Sequence, residues 1–144
     1  MRRAGFFISE LLAGGFIYCG IEILFRGYTH ISMSLLGGIC FVFIGCIRRG
    51  LRGAPLAEKM LLSGAAITVL EFVCGLVVNL WLGLAVWDYS SMPLNVLGQV
   101  CLTYSAIWCL LAVPAMGADA VFYRHGFFPK NLSEKSFQAE KSVV

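Results

Sequence analysis

The chain has 144 residues, of which 59% are hydrophobic and 13% charged, with a formal net charge of +3. Soluble domains carry about 25% charged residues; here the apolar residues fall in long blocks, which excludes an aqueous globular domain and points to an integral membrane protein. The basic residues flank those blocks and are not interleaved with exposed aromatics, which argues against nucleic-acid binding.

The first block, residues 5–25, follows Arg2 and Arg3 and resembles a secretory leader at first glance. It is long enough to cross a bilayer, contains Glu10 and lacks a small-residue cleavage site, so it reads as a retained helix. Near its end Glu22 and Arg26 stand at i,i+4, the spacing of a structural ion pair. The turn RGYTH, residues 26–30, adds Thr29 and His30. The second block, residues 31–47, is short and ends in RRGLRG. Ser34, Gly38 and Gly45 give it a small-residue face of the kind that lets membrane helices approach closely.

The third block, residues 60–86, places Glu71, Gly75 and Asn79 at spacing four, a polar strip ill suited to lipid. The polar stretch WDYSSMPLN, residues 87–95, then introduces a fourth block, residues 94–116. In this reading Trp87 and Tyr89 belong to the interfacial aromatic belt, Pro93 fits a first helical turn, and Ser90 or Asn95 caps it. Pro114 kinks or ends the helix. The expected architecture is an all-α four-helix membrane bundle over residues 1–125, with a polar, disordered cytoplasmic tail at 126–144.

Orientation follows from the cationic flanks. Arg2, Arg3, Arg48, Arg49, Arg52, Lys59, Arg124, Lys130, Lys135 and Lys141 fall at the N-terminus, the middle loop or the tail, and only Arg26 falls elsewhere. Both termini should therefore be cytoplasmic, with RGYTH and WDYSSMPLN on the outer face. Arg26, Thr29, His30, Asp88, Ser90, Asn95 and Gln99 would form an outer polar vestibule there, with Arg26 reaching Asp88.

Sliding the sequence by 61 residues without a gap aligns Glu10 with Glu71, Gly14 with Gly75, Tyr28 with Tyr89, and LGGIC with LGQVC. This suggests two tandem hairpins related by a parallel internal repeat. The repeat would set Glu10 opposite Glu71. A carboxylate at mid-bilayer costs about 2.5 to 3.5 kcal/mol on insertion scales, so it needs a partner, a proton or water. Two readings stand side by side: a proton or cation site lined by Glu71, Asn79 and Glu10, or a protonated Glu71 hydrogen-bonded between helices.

Other chemistry is not encoded in recognisable form. There is no phosphate-binding loop, HExxH, GxGxxG after a strand or metal-spaced Cys/His cluster, so no cofactor and no metal are expected. Ser90, His30 and Asp88 could be drawn as a hydrolase triad, but no glycines frame the serine as a nucleophile elbow, and the chain does not read as an enzyme. The six cysteines lie within apolar runs and read as packing residues.

Three passages together, RGYTHISMSLLGGICF at 26–41, Glu71 with Gly75 and Asn79, and WDYSSMPLNVLGQVCL with Trp108 beyond, resemble the CmpB-like family of small bacterial membrane proteins, the type IV ABC-transporter permeases. The resemblance implies a multi-spanning component of the bacterial inner membrane with a transport role. It also implies a separate ATPase subunit docking on the cytoplasmic loop RRGLRGAPLAEKM. The leading functional expectation is a permease subunit, or a homo-oligomer, that moves a small solute or ion past Glu71. The alternative is a non-transporting membrane scaffold or sensor whose outer turns bind a partner.

Overall fold

A computed structural model of the protein describes residues 2–124, with side chains from residue 4 onward. The expected tail at 126–144 lies outside the described residues. Four helices are long and apolar enough to cross a membrane. Helix α1 spans Arg2–Arg26 and α2 spans Ile31–Gly50; α3 spans Leu56–Gly75 and continues as a π-helical turn, Leu76–Trp81; α4 spans Leu102–Arg124. Gly27, at φ +77°, ends α1, and its amide reaches back to the Ile23 carbonyl at 3.0 Å.

Short connections at 27–30 and 51–55 make successive helices antiparallel. The helix termini Arg2, Gly50, Leu56 and Arg124 share one end of the bundle, here called the basic end. The turn at 27–30 and the long connection at 82–101 share the other, the loop end.

The first three spans lie close to the blocks read from hydropathy, but the fourth does not. The helix expected over 94–116 begins at Leu102 and runs through Pro114 to Arg124. The third span ends at Trp81 instead of residue 86. Residues 82–101 form an irregular connection closed by a minimal antiparallel ladder, β1 (Asn95–Val96) with β2 (Val100–Cys101), in which Asn95 faces Cys101 and Val96 faces Val100.

Backbone conformation explains the difference. Gly83, Ala85, Leu94, Leu97 and Gly98 all adopt positive φ, which no α-helix accommodates. Proline is better tolerated in a membrane helix than in water, because neighbouring groups satisfy the freed carbonyl, so Pro114 does not stop α4.

Lipid tails are as apolar as leucine, so close packing and polar contacts must hold these helices together. Helix α1 packs on α2, α3 on α4, and α2 also against both α3 and α4. At the α1–α2 seam a side chain at Gly38 would strike the Leu11 carbonyl, and one at Gly15 would come within 2.7 Å of the Ser34 carbonyl. At the α3–α4 seam Gly64 lies against Cys109. The central core joins Met33, Leu36, Cys40 and Ile44 of α2 to Ile67, Ala112 and Met116, with Trp87 inserted from the connection.

The helix boundaries do not follow the ungapped offset of 61 residues. Helices α1 and α3 begin at Arg2 and Leu56, α2 and α4 at Ile31 and Leu102, so no single offset superposes both pairs. Glu10 stands in the first half of its helix from the basic end, whereas Glu71 stands in the second half of the α3 rod.

Candidate functional site

Glu71 is 2% exposed and lies about 15 Å from the loop end of its rod at 1.5 Å per residue, well within the hydrocarbon layer. Two neutral donors meet its carboxylate. The Tyr89 hydroxyl donates to Oε1 at 3.1 Å and the Trp108 indole to Oε2 at 2.9 Å. No Lys or Arg pairs with it among the described residues. Tyr89 belongs to the connection, so residues 82–101 fold down into the bundle far enough for a loop side chain to touch a mid-span acid. The Tyr89 ring stacks on Tyr104 of α4 at 4.6 Å between centroids.

A second group fastens the connection one level nearer the loop end. Asn79 donates to the Trp87 carbonyl at 3.1 Å and to Gln99 Oε1 at 2.8 Å, and accepts from the Val86 amide at 2.7 Å. Trp87 in turn donates to the Gln99 carbonyl at 2.9 Å. Gln99, 3% exposed, fits over Gly75, where a side chain would meet Gln99 Oε1 at 2.5 Å. The strip Glu71, Gly75 and Asn79 read from the sequence therefore presents one continuous seat for the connection. Its three residues do separate tasks. Asn79 makes its hydrogen bonds to the loop and none to Glu71, and the π-helical turn that carries it is a local rearrangement often found at functional positions.

The remaining residues of the expected vestibule make their hydrogen bonds mostly within their own turns. Asp88 accepts from the Ser90 amide at 2.8 Å and the Ser90 hydroxyl at 2.6 Å, which hold its carboxyl below the ordinary value at an exposed turn. Asn95 donates to the Ser90 and Met92 carbonyls at 3.2 and 2.8 Å and accepts from the Gly98 amide at 3.0 Å, so it staples the turn instead of capping a helix. His30 is the N-cap of α2, its Nδ1 accepting from the Ser32 amide at 3.2 Å.

Arg26 pairs with Glu22 at 2.9 Å, as the spacing predicted, and Thr29 donates to the other Glu22 oxygen at 2.7 Å. Arg26 does link the two connections at the loop end, but through the Val86 carbonyl at 2.8 Å and not through Asp88.

Glu10 lies in a different centre altogether. At the basic end, Arg49 donates to Glu10 at 2.6 and 3.2 Å and to Asp119 at 2.6 Å, and Arg48 pairs with Asp119. Both carboxylates are completely buried. The cluster rests on Gly45, where any side chain would run into Glu10, Arg49 and Asp119. Arg48 also faces the Tyr123 ring, 5.8 Å from its centroid, and Arg49 the Phe6 ring at 5.2 Å. Glu10 thus shares its surroundings with guanidinium groups and not with Glu71.

Sequence reasoning missed Asp119 because the fourth span was ended at Met116. The signal was present: AMGADAVFYR continues the apolar run past Pro114 with one acid in it, and an acid in a span calls for an arginine. Trp108 and Tyr89 were noticed as aromatic residues, but nothing in their spacing identifies them as the donors to Glu71.

A cavity of about 330 Å3 adjoins Glu71, lined almost wholly by apolar groups from α1, α2, α3 and α4, with Tyr18, Cys40 and Trp108 among them. That is the lower end of the size range of small-molecule sites. A family model described as "Putative ABC-transporter type IV" matches residues 15–136 of the chain. No curated protein and no solved structure matches significantly.

Proposed function

The chain belongs to the family described as "Putative ABC-transporter type IV", and from that membership we propose that this multi-pass membrane protein is a permease component moving a small solute or ion across the bacterial inner membrane, with Glu71 in the path. One observation carries the reading: a buried carboxylate without a cationic partner among the described residues borders a cavity and is hydrogen-bonded to a connection that closes the loop end. The other two buried acids, Glu10 and Asp119, are each met by a guanidinium, and Glu71 is not. An acid left with neutral donors retains acceptor capacity for a passing proton or cation.

In this arrangement both termini and the loop at 51–55 face the cytoplasm, in keeping with the cationic flanks. A separate ATPase subunit docks on the segment RRGLRGAPLAEKM, because the chain carries no phosphate-binding loop. Release of the Tyr89–Glu71 hydrogen bond would accompany opening of the 82–101 connection toward the outer face.

Glu71→Gln tests the proposal. The amide can accept from Trp108 and donate to the Tyr89 oxygen, so folding should change by less than about 1 kcal/mol. Flux in reconstituted vesicles, or its pH dependence, should be abolished. Unaltered flux in a normally folded variant would remove Glu71 from the path.

A further inference from the structure

The position of the cavity says where its occupant comes from. Helices α1 and α4 meet near the basic end through Phe6, whose ring lies 6.2 and 6.1 Å from those of Phe122 and Tyr123. They meet again through Tyr18 and Trp108, 6.2 Å apart. Between these two contacts the cavity is lined by Ile17 and Leu111, which are 48% and 39% exposed, so its wall there reaches the outside of the bundle.

Ile17 and Leu111 each lie about 14 Å from the loop end of their helices, near mid-span as Glu71 is. An opening at that depth faces acyl chains, not water. The apolar walls would hold hydrocarbon, and the acid at the inner end would hold one polar head.

Resting on the transport reading of Glu71, we propose that the cavity between α1 and α4 is a binding site entered sideways from the bilayer, and that its ligand is an amphipathic organic cation, a hydrocarbon body with its ammonium head on Glu71. The sign of the head follows from the donor set. Tyr89 and Trp108 each give the carboxyl group one hydrogen bond from a neutral donor, which leaves acceptor positions on both oxygens and no counter-charge among the described residues. An ammonium supplies both the missing donors and the missing charge. A carboxylate or phosphate head would be repelled in the same low-dielectric surroundings. Substrate selection then takes place before the connection at 82–101 moves, because the entrance does not pass through it.

Trp108 both lines the cavity and touches Glu71, so it reports occupancy. The full chain in phosphatidylcholine nanodiscs would be titrated with three terminally brominated chains of equal length: a nonylamine, a nonanol and a nonanoate. Bromine quenching would be read as the difference between wild type and Trp108→Phe, which subtracts quenching of Trp81 and Trp87 through the lipid.

The amine should quench saturably and bind roughly tenfold or more tightly than the alcohol, with the carboxylate weakest. Glu71→Gln should reduce the amine to the level of the alcohol, and Ala118→Leu, which fills the cavity without touching the acid, should weaken all three. Equal binding of the three heads, amine binding that survives Glu71→Gln, or no saturable quenching would each overturn the proposal. Should the Glu71 variant fail to fold, the order of the three heads on the wild type decides by itself. Amine binding without any Glu71-dependent flux would refute the transport reading and leave this site standing; Glu71-dependent flux of an ion from water without amine binding would do the reverse.

Discussion

At the basic end of the bundle Glu10 and Asp119 are met by the guanidinium groups of Arg48 and Arg49; toward the loop end Glu71 is met by a phenol and an indole. All three acids are removed from solvent, and all three lie in helices that cross the membrane. The charged cluster ties α1, α2 and α4 together, and its attraction rises as the surroundings become less polar, so it acts as a lock. The Glu71 centre joins α3 and α4 to a loop through hydrogen bonds from neutral donors, and side-chain hydrogen bonds between membrane helices average only about 0.6 kcal/mol each. One end of the protein is thereby fastened more firmly than the other, and the weaker fastening is the one beside the cavity.

The largest effect should come from breaking the lock. Arg49→Met leaves Glu10 without the guanidinium that pairs with it and Asp119 with one fewer, and should cost about 3 to 5 kcal/mol, measured by reversible unfolding in mixed micelles. A cost below that of losing Tyr89 would contradict the asymmetry between the two ends. Next is Gly75→Leu, whose side chain would occupy the place of Gln99; about 1 to 3 kcal/mol is expected, with accessibility of the native, buried Cys101 rising as the connection lifts.

Tyr89→Phe removes one hydrogen bond to Glu71 and should cost on the order of 0.6 kcal/mol while speeding proteolysis within 82–101 at unchanged melting of the bundle. If melting falls with it, the loop and the bundle are one cooperative unit.

The smallest effect is a pH response at the exposed turn. Because the Asp88 carboxyl is held below its ordinary value, its contribution is complete above the usual carboxylate range and is lost as pH falls through the lowered value. Hydrogen exchange at the Ser90 amide should accelerate on acidification in the wild type and be fast and pH-insensitive, after correction for intrinsic rates, in Asp88→Ala.

Much of this was legible in the chain. Apolar blocks of span length gave the four-helix class, and the Glu22–Arg26 pair followed from its spacing. The suitability of Glu71, Gly75 and Asn79 for a polar seam followed from helical periodicity. What misled the reading of the fourth span was treating Pro93 and Asn95 as a helix start and Pro114 as a helix end. Local capping preferences describe an isolated segment, whereas Asn95 is held in its turn by three hydrogen bonds and Pro114 is carried by the helix around it. The vestibule residues were picked out correctly as polar and unusual, but polarity alone does not distinguish a side chain that lines an opening from one that closes a turn.

Hydrophobic length by itself determined that four segments of this protein are long and apolar enough to cross the membrane, because the bilayer imposes that requirement on each segment separately. Which acid meets which partner was decided only by the tertiary structure. Glu10 and Arg49 are 39 residues apart, Arg49 and Asp119 70, and Tyr89 reaches Glu71 only because a loop turns back into the bundle. A carboxylate carries the same cost in hydrocarbon wherever it stands in the chain; what meets it there depends on how the helices are arranged around it.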